Sequence, residues 1–215
     1  MSLDNYNTLT ELYNIKLGDL IFDESLNIFK CDLIYDDNLL SISTPYFRYI
    51  ENNKKDDYYY FKFEFLPDSN SFYHFINKLE DYIKNKIINE GDELFGKKPV
   101  YEVINNLFQH SISIPLNIPS LPLITFRVHK DDVSNIIKDV NNNRISFSEL
   151  SKHTELKLHV LVKNIEFHKY KCLINYDVVE IISSGKVCQT LECLIDNDNG
   201  NVNDNSIDSD STGGL

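Results

Sequence analysis

Period-two alternation runs through most of this chain, and only one long stretch departs from it. "NIKLGDLIF" and "NIFKCDLIY", separated by "DESL", read as two strands; "NLLSISTPYF" reads as a third, ended by Pro45, and "YYYFKFEF" as a fourth. Neighbouring side chains of a strand point to opposite faces, so an alternating run has one face buried and one wet. Tyr59, Phe61, Phe63 and Phe65 therefore form a core face, and Tyr58, Tyr60, Lys62 and Glu64 the opposite one. "LITFRVH" likewise sets Ile124, Phe126 and Val128 against Thr125, Arg127 and His129. "ELKLHVLVKNI" and "KYKCLINYDVVEII" are expected to pair as a hairpin around "NIEFH", with Lys157, Lys163, Lys169 and Lys171 gathered on its solvent face.

The exception is helical. Phe72, Phe75, Ile76, Leu79, Ile83 and Ile87 recur at helix spacing, with Pro67, Asp68 and Ser69 as start signals and Gly91 as a stop. "PVYEVINNLFQH" reads as a second, shorter helix entered at Pro99. "ISIPLNIPSLP" carries Pro115, Pro119 and Pro122 and is expected to run extended and unpaired. Between residues 130 and 155 a short helix and a strand fit equally well. The fold class that follows is mainly β with helices (α+β): an antiparallel sheet closed into a small barrel, with the long helix covering one end.

Several function classes are disfavoured by what the chain lacks. No apolar stretch reaches the roughly 18–20 residues of a membrane helix, and "MSLDNYNTLTEL" carries acids where a signal peptide carries bases, so an intracellular protein without a membrane partner is expected. Cys31, Cys172, Cys188 and Cys193 are too few for a disulfide scaffold. A zinc set of His168, Cys172, Cys188 and Cys193 matches no common ligand spacing, and neither metal nor cofactor is expected. The first five glycines are isolated, which excludes a phosphate-cradling P-loop, and no Gly-x-Ser-x-Gly elbow is present. With no motif that carries a reaction mechanism, the chain reads as a binding protein and not an enzyme.

Charge and aromatic placement say what it would bind. The formal charge of −12 opposes nucleic acid at first sight. Six acids and no base lie beyond Lys186, however, while nine bases face six acids between Leu121 and Cys172. A mildly basic segment thus precedes a polar, low-complexity tail from about residue 196, which is expected to be disordered. Single-stranded nucleic acid is held by rings stacked on bases and by cations along the backbone. The residues that suit this chemistry are Tyr58, Tyr60, Lys62, Arg127, Lys157, Lys163, Lys169 and Lys171. With 13 Tyr and 13 Phe in a composition rich in A/T-coded residues, position counts for more than abundance.

The order of "LLSISTPYF", "YYYFKFEF", "FYHFINKLEDYIKNKI", "LFGKKPVYEVINNLFQHSI", "LPLITFRVH" and "LKLHVLVKNIEFHKYKCLINYDVVEII" resembles a family of single-stranded DNA-binding proteins of large nucleocytoplasmic DNA viruses, that of African swine fever virus included. The resemblance covers about residues 15–182. It implies an OB-like nucleic-acid-binding domain over residues 1–195, with a helical insertion at 68–111 and an acidic tail at 196–215. It further implies sequence-nonspecific binding of single-stranded DNA in viral replication, repair or packaging, in the host cytoplasm at the viral factory or within the virion. Phe167 would be the stacking residue of the closing hairpin. The tail is similar to the acidic C-termini of phage and bacterial single-strand binders, which implies replication or virion proteins as its partners. RNA as a ligand and a homo-oligomeric state stay open. A rival reading is a virion or transcription-associated module that binds protein and not nucleic acid, which the overall acidity favours.

Overall fold

In the computed structural model, which describes residues 2–3, 9–116 and 121–187, the alternating segments close into a ring of five strands. In chain order the elements are β1 (Ser2–Leu3), β2 (Ile15–Asp23), β3 (Ile28–Tyr35), β4 (Asn38–Lys55), β5 (Tyr58–Phe65), α1 (Asn70–Phe95), α2 (Tyr101–Leu107), β6 (Phe108–Gln109), β7 (Ile112–Ser113), β8 (Leu123–His129), β9 (Ile137–Asp139), β10 (Thr154–Phe167) and β11 (Cys172–Val187). The ring runs β4, β5, β8, β11, β10 and back to β4. All its pairings are antiparallel except β8 with β11, which is parallel and rests on one residue pair, Arg127 with Asp177. This is an OB-like barrel, a five-stranded Greek-key sheet only partly closed at one seam. The β2–β3 hairpin is added outside the ring, where β3 pairs with the end of β10.

The core lies where the period-two pattern puts it. Phe61, Phe63 and Phe65 of β5 are buried beside Phe47, Phe72 and Phe126, with Phe47 5.1–6.1 Å by ring centroid from Phe63, Phe65, Phe72 and Phe126. Each buried ring contributes about 1.5–3 kcal/mol through the apolar area it removes from water. Tyr59 shares their parity but sits at the barrel rim, half-buried against Phe147. α1 covers the barrel with the expected face, since Phe72, Phe75, Ile76, Leu79, Ile83 and Ile87 are all buried.

Four local expectations are corrected. Pro45 does not end a strand, because β4 continues through it to Lys55. Opposite Pro45 the register with β10 slips between Lys157 and His159, and the Leu158 N–H donates to the Thr44 hydroxyl at 2.9 Å. A bulge thus places the residue without an N–H where no ladder bond is required. Gly91 does not stop α1, which ends at Phe95 with Gly96 in the left-handed conformation at φ 66°. Gly91 is buried within the helix against Pro99, whose ring a Cβ would meet at 2.5 Å.

The segment after α2 is also not wholly unpaired, as Ile112–Ser113 adds to β8. The turn of the closing hairpin falls at residues 168–171, where the His168 N–H donates to the Lys171 carbonyl; the "NIEF" residues belong to β10. Between residues 130 and 155 the chain forms β9 and a one-turn helix at Phe147–Glu149. Cys31 and Cys172 are buried, and burial pushes their thiols up to about 11 and about 12. Cys188, Cys193 and the tail at 196–215 lie outside the described residues.

Candidate nucleic-acid interface

The seam between β8 and β11 organises one face of the barrel. The two strands touch at Arg127 and Asp177 and then splay; β6 fills the gap beside Cys172 and Leu173, and β9 fills it beside Ile181–Ser183. Arg127 lies buried at the join. Its Nε donates to Asp177 Oδ1 and its Nη1 to Glu166 Oε1 at 3.3 Å. Burial opposes the charge, but the Asp177 hydrogen bond and attraction overcome it and hold the guanidinium above its ordinary pKa. Lys163 Nζ reaches the other Asp177 oxygen at 2.9 Å, and His168 Nε2 lies 3.1 Å from Glu166.

Above this cluster is a cleft of ≈ 610 Å³. Its floor is Tyr58 and Tyr60 of β5, Arg127 of β8, and Lys163, Asn164, Glu166 and Asn175 of the closing hairpin. The β4–β5 turn (Lys55, Asp56, Asp57), the β10–β11 turn (His168, Lys171) and the β2–β3 turn (Ser25, Leu26) wall it. Two of these walls are pinned by an acid. Asp23 accepts the N–H groups of Ser25 and Leu26 at 3.0 and 3.2 Å and the ammonium of Lys30 at 2.6 Å. The Lys30 bond comes first among the causes that hold its carboxyl well below the usual range. Asp57 in turn holds Lys130, beyond the end of β8, at 2.5 Å.

The floor is built from flat groups in register. Tyr58 pairs across the sheet with His129, and Tyr60 with Arg127. The Arg127 guanidinium carbon sits 4.5 Å from the Tyr58 ring centroid, and the His129 ring meets Tyr58 edge-on at 5.3 Å and 83°. These contacts fix the ring by cation–π and edge-to-face attraction. Both tyrosines are half-buried, and burial raises the Tyr60 phenol. Lys55 and Lys171 have no carboxylate partner among the described residues.

Of the nine residues singled out in the sequence, Tyr58, Tyr60, Arg127, Lys163 and Lys171 come together in this cleft. Lys169 lines an adjoining hollow of ≈ 410 Å³ with Leu26, His168, Tyr170 and Lys171. Lys62 is turned to Glu51 at 3.1 Å. Lys157 lies between Tyr46 and Ile182, far along β10 from Lys163. The four hairpin lysines therefore do not share one patch, because β10 passes from β4 to β3 as its neighbour and its register slips twice between His159 and Asn164. Phe167 packs half-buried and edge-on against Phe95 at 5.3 Å, outside the cleft.

Three contributors were not singled out. Lys55 precedes the aromatic run in "KKDD"; the β2–β3 turn carries no signal of where it would fold back. Tyr170 stands at the tip of the closing hairpin, 75% exposed, with Lys169 Nζ 4.9 Å from its ring centroid. Its place between two lysines in "HKYK" is a usable signal.

No family model matches the chain, and no curated protein does. Solved structures do. The single-stranded DNA-binding protein of bacteriophage Enc34 superimposes with a TM-score of 0.50 at 10% identity, over 82% of this chain and 94% of its own. The single-stranded DNA-binding protein gp2.5 of bacteriophage T7 gives 0.47 at 6% identity, over 80% of this chain and 100% of its own. At such identity the likeness to the Enc34 protein is one of fold: the chain has the barrel architecture of a phage single-strand binder.

Proposed function

We propose that this protein binds single-stranded DNA without sequence preference, through the cleft on the β5–β8 face. The observation that carries the reading is where the cleft lies. In OB-like barrels the second and third barrel strands, with the turns joining strands one to two and four to five, form the oligonucleotide-binding face. Here those elements are β5, β8, the β4–β5 turn and the β10–β11 turn, and they line the cleft. The shared fold with the Enc34 single-stranded DNA-binding protein supports the same reading.

Tyr58 and Tyr60 are the rings on which bases stack, and Tyr170 extends that platform past the closing turn. Lys55, Lys169 and Lys171 stand at its margins as phosphate contacts, while Lys163 on the floor is held by Asp177. Arg127 is a positioning residue, since its charge is held by Asp177 and Glu166 while its flat face supports Tyr58. Lys62, Lys157 and Phe167 lie outside the cleft and have no contact with the strand in this reading. Non-enzymatic service in viral DNA replication, repair or packaging is part of the proposal, and the resemblance in motif order supports it.

Titration of labelled oligo-dT and of duplex of equal length, each at low and moderate salt, tests the reading. Oligo-dT is expected to bind more tightly at both. Equal or tighter duplex binding would overturn the single-strand assignment, and no oligo-dT binding at low salt would leave the protein-interaction reading in its place.

A further inference from the structure

Glu80 of α1 is fully buried, and among the described residues its carboxylate is hydrogen-bonded by groups of the seam. His110 Nδ1 lies 2.9 Å from one oxygen, the Ser111 N–H donates to both at 3.1 and 3.2 Å, and the Tyr176 hydroxyl donates at 3.0 Å. With Nδ1 bonded to the carboxylate beneath it, His110 presents Nε2 outward, and its side chain is 40% exposed. The ring borders a lobe of ≈ 220 Å³ that shares Tyr60, Arg127 and Asn175 with the main cleft.

The lobe differs from the cleft in its charge. Among the described residues no carboxylate lines it, and the only groups lining it that carry positive charge are His110 and the already neutralised Arg127. The protonation state of His110 therefore sets whether the lobe borders the unbalanced charge of Glu80 or a neutral imidazolium–carboxylate pair that still has an N–H to donate. In neutral His110 the single proton is committed to Glu80, so Nε2 offers a lone pair and repels a phosphate oxygen; in the imidazolium form Nε2 donates.

We propose that this lobe is a phosphodiester subsite of the strand-binding cleft, engaged when His110 is protonated and Nε2 donates to a phosphate oxygen. The inference rests on the single-strand reading above. Its titration is shaped from every side. The Glu80 hydrogen bond raises His110 above its ordinary pKa, burial opposes this, the Glu80 and Asp81 charges add to it, and Lys84 of the same helix subtracts. Tyr176 of β11 and Tyr60 of β5 stay neutral phenols near neutral pH, as burial raises both, and Arg127 of β8 stays charged.

The test compares wild type with His110→Gln in oligo-dT affinity at about pH 6 and about pH 8.5, on either side of the ordinary imidazole range. Wild-type affinity is expected to gain about threefold to tenfold more than the variant's on acidification, the yield of one charge-assisted contact. His129 and His168 line the main cleft in both proteins, so their contributions cancel in the comparison. Equal pH slopes would overturn the subsite while leaving the single-strand reading intact; no wild-type binding at either pH would overturn both. A second measurement is independent of the variant's folding. In the full wild-type chain, saturating oligo-dT must raise the NMR titration midpoint of the His110 ring, because a ligand that prefers the protonated state stabilises it reciprocally. An unmoved midpoint would overturn the proposal.

Discussion

Removing one lysine from the cleft should change how affinity depends on salt by a calculable amount. Lys55, Lys169 and Lys171 border the cleft or its adjoining hollow and have no carboxylate partner among the described residues, whereas Lys30 is held by Asp23 and Lys163 by Asp177. A lysine already paired gains little by exchanging its carboxylate for a phosphate. Three unpaired lysines predict a slope of log affinity against log salt of about −2, at roughly 0.7 per phosphate neutralised on a single strand. Lys171→Gln should bring it to about −1.4, so that a rise from about 50 to about 200 mM salt weakens wild type ~18-fold and the variant only ~7-fold. Lys157→Gln, at a position outside the cleft, should keep the wild-type slope. Fluorescence anisotropy of labelled oligo-dT across a salt series reads all three. Equal slopes for wild type and Lys171→Gln, or a smaller slope for Lys157→Gln than for Lys171→Gln, would refute the assignment of phosphate contacts.

Two further substitutions separate stacking from charge and packing from propensity. Tyr60→Ala should cost about 1–3 kcal/mol of oligo-dT affinity with no change in salt slope, since it removes a ring face and no cation; in the same anisotropy series, a changed slope would mean that Tyr60 acts through the charges beside it. Gly91→Ala should lower the thermal midpoint even though alanine is the better helix former by ~1 kcal/mol, because overpacking of this kind costs about 1–3 kcal/mol. The added Cβ would lie 2.5 Å from two atoms of the rigid Pro99 ring; a raised midpoint in a thermal melt would show that the α1–α2 connection yields.

The parts of the fold legible in the sequence are those written locally. The buried face of α1 repeats every three to four residues, and Phe61, Phe63 and Phe65 alternate within one strand, so a short window contains the whole signal. Closure of the ring has no such window. It depends on β4 meeting β10, a pairing that sets Ser41 against residues more than a hundred positions away, with the Ser41 hydroxyl beside the His159 ring. Pro45 shows the same limit at a single residue. Its missing N–H argues against a strand interior, and only the partner strand reveals the bulge that makes it harmless. The candidate site was legible by face but not by place: parity set Tyr58, Tyr60 and Arg127 on the side opposite the buried rings, where all three line the cleft, while the grouping of Lys157 with Lys163 assumed a straight strand that β10 is not.

The acidity that opposed nucleic acid in the composition takes on a different meaning in the structure. Asp23, Asp57, Glu166 and Asp177 are spent within the barrel face, where they pin the β2–β3 turn, the β4–β5 turn and the guanidinium beneath Tyr58. An exposed carboxylate repels a phosphate, but one bonded to a lysine or arginine leaves a locally neutral pair and a fixed shape. The cations left over, Lys55, Lys169 and Lys171, stand at the rim where a backbone would pass, and the neutral centre is occupied by flat rings. A central platform with a sparse cationic margin favours stacking over charge. The affinity of this protein for a single strand should therefore persist to higher salt than that of a binder whose cleft is lined by unpaired lysines, and a phosphate backbone whose bases are paired away should gain little from it.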